Sequence, residues 1–407
     1  MKKFLFIFAL TSVLCSCGNG DADQVLPLPY VSRALTDTSF VGFRCLADYE
    51  PGQVHASVAL IGDYDSCYDL TGIFVSADFF DNIDGREIPD ELHDFAGETF
   101  SPVLDMANSP YEGFLKADNP YALRETAVAM AVASLGKHCY SNMYEEKMGS
   151  RKMGSKAIVI ASPYLCAYAY DDICQLFHSN PPVVSAVDCM FLSALDGGGA
   201  VLMAEKEDLG VFRLAWERLS NNEKNLPAYQ DFQFTGSSLR ESFTALLDTC
   251  LVQNVTLRRL MFVPYGKMSL EGLESVLDEI LSSPGIAMEN YRSVLAPDFR
   301  FVDAYREAVK ATYAMLRTRN LFTHRIAYPE VKAFVTVPAN DIPLESIDFG
   351  GRIAEKYKYN HSADASIEVF RTVSLSRLYM PEDEYNKIEQ LSVPVLLNLY
   401  RLTGEKD

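Results

Sequence analysis

Two aspartates stand at the end of an apolar run in this chain, where Ala59-Leu60-Ile61 passes into Gly62-Asp63-Tyr64-Asp65-Ser66. A buried strand fixes the spacing of such carboxylates and the loop after it exposes them, so the pair suits proton transfer or a directional grip on a polar ligand. The same kind of ending recurs along the chain. Lys156 to Ala161 runs into Ser162-Pro163-Tyr164, and Pro182 to Val187 into Asp188. Leu257 to Val263 leads to Pro264-Tyr265-Gly266, and Val331 to Val337 to Pro338-Ala339-Asn340. Tyrosine rings, carboxylates and an amide collected at strand ends are the lining of a small-molecule cleft. The candidate ligand-binding residues are therefore Asp63, Tyr64, Asp65, Ser162, Tyr164, Asp188, Tyr265 and Asn340.

Familiar catalytic signatures are missing. The chain has no G-x-S-x-G elbow and no H-E-x-x-H pair, and its six histidines show no metal-ligand spacing. Gly197-Gly198-Gly199 leads into a strand, whereas a phosphate cradle needs glycines ahead of a helix. The acidic stretch from Asp78 to Glu91, aligned on Gly85 as an EF-hand glycine, puts Phe80 at the first ligand position. It reads as an Asp-Gly turn between strands. No catalytic residue, metal or cofactor is assigned.

Positioning these residues requires alternating strands and helices. Apolar runs at 57–61, 72–76, 156–161, 182–187, 199–203, 257–263 and 331–337 predict strands, continuous enough to be buried on both faces. Helical spacing marks 120–135, 165–177, 209–219, 239–251, 270–281 and 301–321, the last with Tyr305, Val309, Thr312, Tyr313 and Leu316 on one face. The expected fold is α/β, two lobes with mainly parallel sheets flanked by helices. The expected divisions are a signal at 1–16, a tether at 17–35, an acidic lobe at 36–150, a second lobe at 151–345 and a closing segment at 346–407. The repeated Met-Gly-Ser around Lys152 and Lys156 reads as an exposed loop between lobes.

Charge narrows the partners. The net charge of −19 argues against nucleic acid and anionic headgroups. Residues 61–118 hold fourteen acids against Arg86 and Lys116, while 300–377 hold twelve bases against nine acids. Two lobes of complementary sign account for this, as does an acidic face that draws a cationic ligand. The nine cysteines show no C-x-x-C pair and mostly stand among apolar residues, the setting of buried free thiols.

Met1-Lys2-Lys3, the apolar run Phe4 to Leu14 and Leu14-Cys15-Ser16-Cys17 resemble the lipobox of bacterial lipoproteins. That resemblance implies cleavage before Cys17 and lipid on it. Asp21 and Asp23 look like surface-export signals of Bacteroidetes lipoproteins, and the expected address is the outer membrane. The alternating elements on an exported chain resemble type I periplasmic binding proteins. The resemblance implies a small polar molecule bound in an interlobe cleft without chemistry. Asp63 and Asp65 also resemble the aspartate pair of haloacid-dehalogenase phosphatases, which makes a metal-dependent hydrolase the alternative. An interaction module with envelope protein partners is the third reading. Replacing Cys17→Ala is expected to move the protein from the membrane to the soluble fraction of lysed cells; unchanged membrane recovery would remove the lipid anchor.

Overall fold

The computed structural model describes residues 28–194, 199–222, 228–234, 238–264, 268–323, 325–348, 351–361, 368–376 and 379. The strands are β1 (Ser57–Gly62), β2 (Thr99–Leu104), β3 (His138–Cys139), β4 (Ser150–Arg151), β5 (Ser155–Ile160) and β6 (Val183–Ser185). They continue with β7 (Ala200–Ala204), β8 (Gln230–Gln233), β9 (Leu257–Phe262) and β10 (Leu295–Asp303), then β11 (Glu330–Val331), β12 (Phe334–Pro338) and β13 (Phe370–Ser374). Every residue of β1, β2 and β5 is buried, as apolar strands covered by helices on both faces must be. They form the middle of a sheet ordered β13-β12-β2-β1-β5-β6, with β11 beside β2. Only the β12–β13 pair in it is antiparallel. A second sheet, β10-β9-β7-β8, is wholly parallel. The α/β class expected from the alternation is what the chain adopts.

Side chains at strand ends start the helices. Asp63 accepts the Ser66 N–H at 2.9 Å and caps the helix Tyr64–Ser76. Asp303 caps Ala304–Thr318 by accepting the N–H groups of Tyr305 and Arg306 at 2.8 and 3.2 Å. Such caps satisfy donors that the first turn leaves open. The helix Pro120–Leu135 is buried along most of its length and lies across the larger sheet, while Ala304–Thr318 packs on both Tyr64–Ser76 and Ala186–Ala194.

Several expectations are corrected. Gly72–Ser76 is the last part of a helix, because the cap at Asp63 starts a helix whose buried face takes Phe74 and Val75. The pattern read as one helix over 301–321 begins as strand, with Phe301 to Asp303 paired to Leu260–Phe262. Two helices, Pro163–Tyr168 and Tyr170–Phe177, replace the expected single one. The tether ends early, since a helix runs from Pro29 to Thr36 and Leu28 is buried. Sheet membership does not follow the expected divisions either. β5 and β6 pair into the sheet of β1 and β2, and the second sheet spans only 200–303.

Lys156, expected in an exposed loop, is instead the most enclosed cation described. Its Nζ donates to Glu98 Oε2 at 2.6 Å and to the carbonyls of Val54 and Leu321 at 2.8 and 2.6 Å. Glu98 Oε1 accepts the Thr323 N–H at 2.6 Å, and both charged side chains are 1% exposed. Burial pulls the lysine pKa down and the glutamate pKa up, and their contact opposes both shifts. The pair clamps the amino end of the larger sheet to the chain leaving Ala304–Thr318. Lys156→Met strands the Glu98 charge and should cost about 3–5 kcal/mol in urea unfolding. Adding Glu98→Gln should recover part of that loss, a coupling absent if the two residues act independently.

Candidate functional site

The crevice of an open α/β sheet lies at the carboxyl ends of the two neighbouring strands whose connections leave in opposite directions. Here those strands are β1 and β5, because β1 connects toward β2 on one side and β5 toward β6 on the other. Gly62 closes β1 at that point. A Cβ there would stand 3.1 Å from the Ser162 amide nitrogen and 3.3 Å from Cys67 Sγ, so glycine eases the close approach of the two chains. Asp63 and Ser162 are thereby brought side by side.

The eight expected ligand residues divide sharply. Asp63 takes both the amide and the hydroxyl of Ser66, the latter at 3.0 Å, and its Oδ atoms are already engaged as a cap. Asp65 is exposed on the first turn of the same helix. Ser162 is fully buried and its hydroxyl has no hydrogen-bond partner among the described residues. The Tyr164 hydroxyl donates to Asp208 Oδ1 at 2.7 Å, joining the loop after β5 to the chain after β7. These four frame the crevice. Tyr64 turns into the core and stacks on Tyr68 at 5.9 Å. Asp188 is buried under the Arg218 guanidinium, which lies on the Tyr170 ring, so it serves an internal ion pair. Asn340 sits on an exposed turn and donates to the Tyr144 carbonyl at 3.2 Å. Tyr265 lies outside the described residues.

Three further residues complete the crevice. Asp69, one turn beyond Asp65, is half-buried, and burial, with Asp65, Asp63 and Asp303 adding repulsion, raises its pKa to about 7. Asp303 is buried, which raises its carboxyl to about 6 against the lowering effect of the N–H groups it caps. Tyr305 is fully buried. Its hydroxyl lies by Ser66 in the field of Asp63 and Asp69, and it has no partner of full hydrogen-bond geometry among the described residues. The Asp65–Asp69 spacing was legible as one helical face, whereas Tyr305 read as core because the turn from strand to helix at Asp303 was missed.

Contacts bear on two other readings. In the phosphatase reading Asp63 would be the nucleophile, and here each of its oxygens accepts a hydrogen bond from Ser66 at the helix start. The stretch 78–91 has no strands around it; its carboxylates bind its own backbone, with Asp81 accepting the Ile83 and Asp84 amides and Asp90 the Asn82 amide. Glu87 also pairs with Lys310 at 2.5 Å, so oppositely charged surfaces of the two regions meet. Burial raises the pKa of each of the seven cysteines described, which leaves no thiolate nucleophile among them.

No family model and no curated protein matches the chain. Among solved structures it is similar to a glutamate racemase from Francisella tularensis in complex with D-glutamate, at 15% identity and TM-score 0.41, over 76% of this chain and 95% of that one. It is also similar to a glutamate racemase from Thermus thermophilus in complex with beta-chloro-D-alanine, at 13% identity and TM-score 0.40, over 76% and 94%. A third, from Bacillus anthracis, gives 10% identity and TM-score 0.41 over 70% and 89%. The expectation of binding without chemistry is thereby corrected, for these similar structures are enzymes. A likeness this remote transfers no substrate and no residue role.

Asp69 carries a pH signature. Its pKa in the fold, about 7, lies above the ordinary 3.8, so the folded state holds more protons between those values and stability falls as pH rises through them. Above about pH 7 the penalty is complete and levels off. Asp69→Asn should therefore unfold at a higher urea midpoint than the parent at pH 8, with the difference shrinking toward pH 4. A difference independent of pH would refute this assignment.

Proposed function

We propose that the chain is an enzyme of the cell envelope, anchored by lipid on Cys17, that transfers a proton on a small cationic substrate in the crevice at the carboxyl ends of β1 and β5. The observation that carries this reading is the pair of buried hydroxyls of Ser162 and Tyr305 at strand carboxyl ends near Asp63, neither with a partner of hydrogen-bond geometry among the described residues. A buried hydroxyl without a partner costs about 1–3 kcal/mol, so interiors normally satisfy it. Two such groups at the point where an α/β sheet binds its ligand are donors kept for a substrate. The β1–β5 position supports the same reading.

Charge favours a cation. Asp63, Asp69 and Asp303 bring three carboxylates together, and the ion pair these three make among the described residues is a long one, Asp303 to Arg306 at 4.0 Å. An ammonium group on the substrate answers that excess and offers three donors. Asp69 is the proton-transfer group in this proposal. With a pKa of about 7 it exists in both forms near neutrality, the condition for an efficient general acid or base. Tyr305 and Ser162 would donate to the acceptor atom where negative charge develops, while Asp63 holds Ser66 and the helix start in place.

Incubating the purified full-length chain in heavy water with a panel of small amines that carry a carbonyl group beside the exchanging C–H, whose oxygen takes up the developing charge, tests the proposal. Carbon-bound deuterium should accumulate in at least one substrate, read by proton NMR. Asp69→Asn should lower the rate by about 100-fold or more, the usual contribution of a general base. Tyr305→Phe should lower it by about tenfold while leaving the pH midpoint set by Asp69 in place. Exchange at the parent rate in Asp69→Asn would refute the role of Asp69, and no conversion of any amine by the parent would count against the enzyme reading.

A further inference from the structure

The end of the larger sheet opposite the crevice carries an exposed apolar surface. β11 runs parallel to β2, so the chain entering one strand lies beside the chain entering the other. Gly97, at φ +76°, allows them to touch, since a Cβ there would overlap the Arg325 carbonyl oxygen at 2.3 Å. Its N–H donates to the Ala327 carbonyl at 2.7 Å, and the His93 ring meets the Tyr328 ring edge-on at 5.4 Å. Two short segments, 91–97 and 325–328, thus form one surface.

Three large apolar side chains on it are left to water. Leu92 is 60% exposed, Tyr328 79% and Ile326 103%. Single exposed apolar residues are ordinary, but several gathered inside a charged rim mark a contact surface. Here the rim carries both signs. Glu91 directly precedes Leu92, Arg325 directly precedes Ile326, and both charged residues are exposed. Arg325 adds its field to that of Lys156 on the buried Glu98, yet neither Arg325 nor Glu91 forms an ion pair among the described residues.

Charge selects the partner. The acidic stretch from Asp78 to Glu91 adjoins the patch and repels anionic membrane headgroups. A second copy of the chain suits it better, because a two-fold axis through the apolar centre exchanges the two charged sides. We propose that this face joins two copies, with Leu92, Ile326 and Tyr328 packed across the axis and Glu91 of each copy opposite Arg325 of the other. A standard interface takes roughly 20–30 residues from each side, so a contact centred on three apolar side chains gives a weak, reversible dimer. The face lies at the amino ends of β2 and β11, so both crevices stay open and the dimer is independent of the activity proposed there.

Sedimentation velocity of the purified full-length chain over a range of micromolar concentrations should show a reversible monomer–dimer equilibrium. Tyr328→Glu puts a charge at the apolar centre and should weaken the dimer by about 30-fold or more. Its melt at low concentration should match the parent, since the side chain is exposed in the monomer. Glu91→Arg and Arg325→Glu each set like charges opposite one another twice, and each should weaken the dimer by about tenfold. Mixed in equal amounts, these two variants should associate as tightly as the parent, because their mixed dimer restores an opposite-charge pair on both sides of the axis. A monomer at every concentration, a dimer unchanged by Tyr328→Glu or by either charge reversal, or no recovery on mixing would each overturn the proposal.

Discussion

Gly62 stands where β1 and β5 converge closely enough that a β-carbon would crowd the backbone of the neighbouring chain. The Ala161 amide donates to the Ile61 carbonyl at 2.9 Å, and the Asp105 amide donates to the Gly62 carbonyl at 2.9 Å, so the end of β1 is held from both neighbours at once. A β-carbon at this point would be forced against the Ser162 amide and Cys67 Sγ. Held in this way, the strand end sets the course of the chain beyond it. Asp63 is the first residue past the contact, and its side chain turns at once to cap a helix. The carboxylates of that helix then project at fixed intervals from a rigid start, while Ser162 leaves β5 in the other direction. Much of the crevice geometry is thus owed to one close approach.

Most of the acid in this chain does other work. Asp78, Asp81, Asp90 and Asp94 bind backbone amides in the loop between the helix Tyr64–Ser76 and β2, which lacks regular hydrogen bonding of its own. Arg317 donates to the carbonyls of Asn82 and Ile83 from the neighbouring helix, and Lys310 meets Glu87. Exposed contacts of this kind contribute little individually and weaken with salt. Asp69 and Asp303 differ because they are taken out of water. Burial raises both carboxyls, with repulsion from Asp65, Asp63 and Asp303 adding to it at Asp69, and this local setting, not the net charge of −19, distinguishes them from the acidic surface.

Legibility in the sequence depends on where the information resides. Continuous apolar strands such as Val58 to Ile61 and Ala157 to Ile160 announce burial on both faces, so the α/β class was readable residue by residue. Strand-end loops could be found the same way, and Asp63, Ser162 and Tyr164 came with them. Asp188 and Asn340 were selected by the same rule and fail for a reason no single sequence shows. Their partners, Arg218 and Tyr144, lie 30 and 196 residues away. Tyr305 failed differently. Its spacing fits a helix face, and it does sit in a helix, but only the pairing of β10 with β9 reveals that the helix begins beside the crevice.

The different fates of Asp63 and Asp69 show why proximity is a poor guide to role. Asp63 is nearer the strand end and was the natural candidate for chemistry, yet two hydrogen bonds from Ser66 fix it in one orientation. A carboxylate so held is a structural anchor for the helix start. Asp69 stands farther along the helix, where burial and neighbouring carboxylates disfavour the charged form. Opposite environments thus divide one short stretch of helix into an anchor and a titrating group. The two are linked in space, because Asp63 lies among the carboxylates whose repulsion adds to the burial that raises Asp69, and its service as the cap holds it there.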